Sequence, residues 1–280
     1  MDFRLAIKES IVIIGQNEVC SMNTEELQAS YKHPPITERV LVAFANIQSE
    51  TFEQRREAFQ LRLMEKYPIV ERKTTICVGI NFGVPAKNNL SAPESKPELK
   101  LTHMFWREAE KRCGVRFFNN ALVINLISKN GHPGSFKEIL LEFLEVFEIW
   151  KSVFDIKSIT ALTVEYVNTL SKTIWDRTKT KDPKELLTIF PQIPGKNTLV
   201  PPCNINFNIR SMPNLTLMVG VNIAQDLSLQ QIFSGRMLLN DNLDQDVNHL
   251  FTQVHDIILE KFELYYTQQA KDIFNSLANE

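Results

Sequence analysis

Glycine and cysteine are both scarce in this chain, with nine and four among 280 residues. No glycine-rich loop followed by Lys and Ser or Thr occurs, so phosphate cradling of that kind is excluded, and neither GxSxG nor HExxH is present. Cys20, Cys77, Cys113 and Cys203 stand singly, without CxxC or a close Cys/His pairing. That spacing predicts reduced thiols in a cytoplasmic protein rather than a zinc site or a disulfide scaffold. An excess of one charge is missing too: 31 Lys plus Arg against 33 Asp plus Glu leave a formal charge of -2. A dedicated nucleic-acid binder is usually strongly basic. No segment approaches the ~18 continuous apolar residues of a membrane span. The short apolar run Ile11-Val12-Ile13-Ile14, flanked by Asp2 and Glu9, is neither a signal h-region nor a span.

What is present reads as an ordinary globular protein, 44% hydrophobic and 23% charged, long enough for one large or two small domains. After a loosely patterned extension over residues 1–30, Tyr31-Lys32-His33-Pro34-Pro35 fixes an extended entry to a strand over Ile36 to Ile47. Thr51 and Gln54 have capping-box spacing and Pro68 is a stop, so Thr51 to Tyr67 is expected as a helix. Strands follow at Thr74 to Phe82, Leu99 to Arg107, Val115 to Phe118 and Ala121 to Ser128, with a loop over Gly83 to Lys100. Ser135 and Glu138 form a second capping box ahead of Phe136, Leu140, Phe143, Phe147, Trp150 and Phe154, a long helix buried on more than one side. Ser158 to Leu170 is a strand with Glu165 on one face and Tyr166 on the other.

Asp182-Pro183-Lys184-Glu185 opens a short helix through Ile189, and Pro191, Pro194, Pro201 and Pro202 mark a loop. Strands at Asn204 to Arg210, Leu215 to Ala224 and Ile232 to Leu239 precede a helix that starts near Asp244 and Asp246 and buries Val247, Leu250, Phe251, Val254, Ile257, Ile258 and Phe262. A separate short helix covers Thr267 to Leu277. Runs of strands separated by long helices predict an α+β fold, a mainly antiparallel sheet with long amphipathic helices packed on one face. The order of elements permits two related halves, 31–171 and 172–280, although no sequence repeat establishes a duplication.

Chemistry is harder to find. Glu138, Glu142 and Glu145 share one helical face, read as solvated. Glu165 is a lone charge in an apolar strand, expected on the open side of the sheet, with a buried acid paired to Arg as the alternative. His249 and His255 are about 600° apart around a helix and do not converge on a metal; His255 is read as a structural histidine. Asp241, Asp244 and Asp246 lack the glycine and terminal acid of a calcium loop. No catalytic residue, metal site or cofactor is therefore assigned. Two basic aromatic stretches are the candidate binding residues: Trp106 and Arg107 with Arg112 and Arg116, and Trp175 with Arg177. Trp and Arg serve a protein interface, and beside stacking aromatics they can also hold single-stranded nucleic acid.

Tyr31-Lys32-His33-Pro34-Pro35-Ile36-Thr37-Glu38, Phe105-Trp106-Arg107, Ala121-Leu122-Val123-Ile124-Asn125, the helix after Gly134, Leu162-Thr163-Val164-Glu165-Tyr166-Val167-Asn168, and Val254-His255 followed by Phe262 resemble a sporadically distributed, largely uncharacterised family of bacterial and archaeal proteins. The resemblance runs from about Tyr31 to Phe274. Glu165 and Val167 stand where that family commonly shows arginine and isoleucine, and the first thirty residues have no counterpart, so Met22 is the expected start in relatives. The resemblance carries no activity. Its patchy distribution implies mobile accessory genes of the anti-phage defence or toxin-antitoxin kind. The expected function is thus a non-catalytic, cytoplasmic protein-binding subunit, regulatory or antitoxin-like, whose partner is another protein encoded in the same operon, without membrane attachment. A nucleic-acid-binding sensor, or a hydrolase or nuclease using Glu165 as an acid, are the alternatives.

Overall fold

The computed structural model describes residues 35–77, 98–128, 134–170, 176–177, 185–188, 203–223, 229–239 and 246–276. In chain order they form β1 (Ile36–Phe44), α1 (Ser49–Lys66), β2 (Ile69–Cys77), β3 (Glu98–Trp106), β4 (Cys113–Phe118), β5 (Ala121–Ile127), α2 (Phe136–Phe154), β6 (Ala161–Leu170), β7 (Cys203–Met212), β8 (Leu215–Ile223), β9 (Leu229–Leu238), α3 (Val247–Tyr265) and α4 (Gln268–Ser276). The strands make one nine-stranded sheet in the order β2-β3-β4-β5-β1-β6-β9-β8-β7. Every neighbouring pair is antiparallel. The fold is α+β.

Register settles which side chains share a face, because alternate residues of a strand point to opposite sides. Leu41 is opposite Ile124 and Val164, and Val164 is opposite Gly235, which is opposite Leu217. This row faces the helices: a Cβ added at Gly235 would lie 2.6 Å from Val254 and 3.0 Å from Ile258 of α3. Helix α2 packs on β5 and β1, α3 packs on β9 and β6, and the two helices meet through Phe143 and Phe251, whose ring centroids are 4.7 Å apart. Helix α1 lies on the same side, with Phe59 edge-on to Phe117 of β4 and Phe52 stacked on Phe154 of α2. The core fills the space between this helix layer and the sheet. The opposite face of β1, β5, β6 and β9 carries Val42, Val123, Thr163 and Arg236 in one row.

Local chemistry explains most boundaries. Ser135 caps α2, its hydroxyl accepting from the Glu138 N–H at 3.0 Å, while Gly134 supplies a φ of +66° just before it. Asp246 caps α3 by accepting from the Asn248 N–H. The capping box expected at Thr51 and Gln54 is not formed: α1 starts at Ser49 after Gln48, without a side-chain cap, and Gln54 donates to Glu50. β2 begins at Ile69, directly after Pro68, five residues before the expected Thr74, because the charged run Glu71-Arg72-Lys73 disguises an edge strand. β9 begins at Leu229, and Gln230 and Gln231 hid that start.

Residues 185–188 of the expected short helix are a turn. Thr188 N–H donates to the Tyr265 carbonyl and Thr267 N–H to that of Leu186, so the α3–α4 junction takes the backbone groups a helix would use. The expectations for residues 1–34, the strand end at Ile80 and Phe82, the loop over 83–97 and the proline-marked segment 189–202 lie outside the described residues. No described helix is long and apolar enough to cross a membrane.

Candidate functional site

The central strands β1 and β6 carry polar residues on both faces. Each has a glutamate on the helix-free side followed by a polar residue on the helix side, Glu38-Arg39 and Glu165-Tyr166, and the register sets Arg39 opposite Tyr166. The cause is strand periodicity alone: consecutive residues cannot share a face.

On the helix side, Arg39 is buried with its guanidinium 5.7 Å from the centre of the Tyr166 ring. The Tyr166 hydroxyl and His255 Nδ1 are 2.5 Å apart, and Phe136 of α2 stacks on the imidazole at 3.8 Å between centroids. Burial, reinforced by the Arg39 charge, pushes His255 down to about 3, so the imidazole is neutral at pH 7. Burial raises the Tyr166 phenol against the pull of Arg39, and lowers Arg39 against the pull of Tyr166 and Glu138. Beyond Tyr166, the amides of Asn168 and Gln231, opposite one another on β6 and β9, are fully buried, and none of their four polar side-chain atoms is hydrogen-bonded. This cluster draws on β1, β6, β9, α2 and α3 and is closed to solvent; its chemistry is that of a structural clamp.

The helix-free side is different. Asn125 of β5 donates to Glu38 and accepts from Arg116 Nη2 of β4 at 3.2 Å. Glu165 is half-buried among these groups. Burial raises its carboxyl, Glu38 raises it further, and a hydrogen bond from Ser234 and the Arg116 charge act against the rise. Arg236 of β9, exposed, lies 4.8 Å over the ring of Phe44. Val42, Phe44 and Ile232 are half-buried around these charges and Leu238 is 56% exposed. The arrangement offers an apolar centre with charges of both signs.

The residues predicted from sequence fall in several places. Trp106 is 3% exposed, and its indole N–H donates to Glu71 at 3.0 Å. It lies against Gly114, where an added Cβ would be 2.7 Å from the ring. Arg107 bonds Glu108 and Glu142. Arg112 bonds Glu138 across to α2. Arg116 joins the helix-free cluster. Arg177 is exposed and donates to Ser276 Oγ at 3.3 Å, far from the others in sequence, and Trp175 lies outside the described residues. The structure thus brings Trp106, Arg107, Arg112 and Arg116 into one half of the sheet, with Trp106 buried rather than offered as a stacking platform.

Glu142 departs from the expected solvated face. It is buried, accepts from the Tyr67 hydroxyl and pairs with Lys66 and Arg107, each at 3.2 Å, because the end of α1 and the end of β3 converge on that turn of α2. Nearby Cys113 is buried, and desolvation followed by the Glu142 charge pushes its thiol up to about 12, far from a reactive thiolate. Among the described residues no group of three or more His, Cys, Asp and Glu is placed to hold a metal ion. Sequence reasoning did not single out Arg39, Asn125, Gln231 or Ser234. A charge or amide interrupting an apolar strand was the available signal, visible at Arg39 between Glu38 and Val40. No protein-family model matches the chain, and no curated protein matches it.

Proposed function

We propose that this chain is a non-catalytic binding subunit that receives another protein on the helix-free face of its sheet, in a cytoplasmic regulatory, antitoxin-like or accessory role of a mobile defence or toxin-antitoxin system. One observation carries the reading: Val42, Phe44, Ile232 and Leu238 surround Glu165 and Arg236 on a face that the helices α1, α2 and α3 leave uncovered. An apolar centre with both charge signs suits a protein surface that is itself apolar with an acid toward Arg236 and a base toward Glu165. A nucleic-acid groove would carry cations without the two glutamates. The resemblance to a patchily distributed family supports a partner encoded nearby by association only.

The same reading takes the molecule as two related halves, each with one long amphipathic helix over its inner strands. Five strands lie on the β1 side of the β1/β6 boundary and four on the β6 side, and α2 covers β5 and β1 as α3 covers β9 and β6. On this view the boundary falls before Ala161 rather than at residue 171, because β6 belongs with β9.

Co-expression with the neighbouring genes, followed by size-exclusion chromatography and mass spectrometry, tests the function. A stoichiometric protein partner that is lost in Val42→Asp and Leu238→Asp is expected. Absence of a partner, or a partner indifferent to both substitutions, overturns it, and nucleic acid bound at low salt moves the sensor reading to first place. A hydrolase reading has one observation in its favour, the raised carboxyl of Glu165 beside Glu38. Turnover unchanged by Glu165→Gln removes it.

A further inference from the structure

The sheet has two edges, β2 and β7, and they are protected differently. β2 carries Glu71-Arg72-Lys73 at its centre, and charges along an edge discourage pairing with another chain. β7, Cys-Asn-Ile-Asn-Phe-Asn-Ile-Arg-Ser-Met, has one charge, Arg210, and no proline. Its register with β8 runs evenly from Cys203 to Arg210, the only shift coming between Arg210 and Met212. Its outer side pairs with no strand among the described residues. A row of backbone N–H and C=O groups along that side is a template for an antiparallel strand.

Topology gives the position beyond β7 a second meaning. Five strands lie on the β1 side of the central boundary and four on the β6 side, so the position beyond β7 is the one that β2 fills beside β3. That correspondence rests on the two-halves reading; that no described strand pairs with the outer side of β7 does not.

We propose that β7 pairs antiparallel with β7 of a second copy of this chain, across a two-fold axis at Phe207, so that one sheet runs through a homodimer. The strand is its own complement. Phe207 and Ile209 are half-buried on the helix side, and Asn206, Asn208 and Arg210 are exposed on the other. About Phe207, Asn206 of each chain faces Asn208 of its mate, amide against amide, and the rings of Phe207 meet on the helix side. The two Arg210 side chains fall at opposite ends of the pair, about 20 Å apart at strand spacing, so no like charges are juxtaposed. A foreign strand would need no such symmetry, whereas an isologous pair closes and leaves only the guarded β2 edges outside. One strand pair lies at the small end of stable interfaces, which makes the dimer concentration-dependent.

Sedimentation equilibrium of the full chain from about 1 µM to about 300 µM, a range that spans ordinary micromolar affinities, reads the proposal directly. The expected mass rises toward twice 32.3 kDa. Asn206→Lys with Asn208→Lys sets lysine opposite lysine on both sides of the axis and is expected to weaken association at least tenfold while the thermal transition, followed by circular dichroism, is kept. Asn206→Lys with Asn208→Glu sets lysine opposite glutamate and restores the dimer. A wild-type chain that stays monomeric throughout, a dimer untouched by the double lysine, or a failure of the charge-swapped pair to recover association overturns the assignment. None of these outcomes depends on the operon partner, so the dimer and the binding-subunit reading stand or fall separately.

Discussion

His255 and Glu165 sit on opposite faces of the same strand pair and respond to pH in opposite senses. His255 titrates at about 3 in the folded protein, against about 6.5 when exposed. Between those values the unfolded chain binds a proton that the folded one does not, so this residue's contribution is full above about pH 6.5 and is lost as pH falls toward 3. The slope reaches about 1.4 kcal/mol per pH unit. Urea midpoints across that window should fall more steeply for the wild type than for His255→Gln. Glu165 is raised by burial and then by Glu38. Above its ordinary value of 4.5 the folded protein holds a proton that the unfolded chain has released, so stability falls as pH rises through the folded value. Glu165→Gln removes this penalty: the variant should gain stability over the wild type at pH 7 and lose that gain near pH 4, measured by the same urea midpoints.

Elements are held by close approach of helix to sheet, as at Gly235. A Cβ there would meet Val254 at 2.6 Å, Ile258 at 3.0 Å and Leu217 at 3.2 Å. Val254 and Ile258 project from α3, so the helix would have to lift from β9. Overpacking of this kind costs about 1–3 kcal/mol, and Gly235→Ala should lower the thermal midpoint accordingly. The same contact explains why β9 can carry glycine in its centre despite the conformational freedom glycine loses there: the space belongs to α3. Helix α2 is secured at its start by the Ser135 cap and at its middle by Glu142, which takes Tyr67, Lys66 and Arg107 from α1 and β3. A carboxylate on a predicted solvated face thereby becomes the junction of three elements.

The whole molecule has no break in its sheet. β1 pairs with β5 on one side and β6 on the other, and β6 pairs with β9 over ten residues. Phe143 and Phe251 join the helix layer across the same line. Unfolding either side would strip partners from both central strands, so urea denaturation should give one transition. Tryptophan fluorescence of a Trp175→Phe variant, which leaves Trp106 and Trp150 on the β1 side as the only reporters, and far-ultraviolet circular dichroism, which reports all elements, should coincide. Two separated transitions would show that the sides fold independently.

Periodicity and capping chemistry are local, so the sequence by itself specified nearly every described element: the alternation of β6, the Ser135 start of α2, the Asp246 start of α3 and the antiparallel α+β class. It also placed Glu165 and Tyr166 on opposite faces. What it could not show is what each face meets. The order β1-β6 at the centre of the sheet, with partners 130 residues apart such as Thr37 and Val167, is decided only by tertiary pairing. Tertiary packing elsewhere buries Trp106 and Glu142 where the sequence read exposed groups, and the central pairing helps bring Arg39, Tyr166, His255 and Phe136 from four elements into one sealed cluster. Burial and proximity are properties of the assembled layers, because a residue's strand fixes its direction while distant strands and helices fix its surroundings.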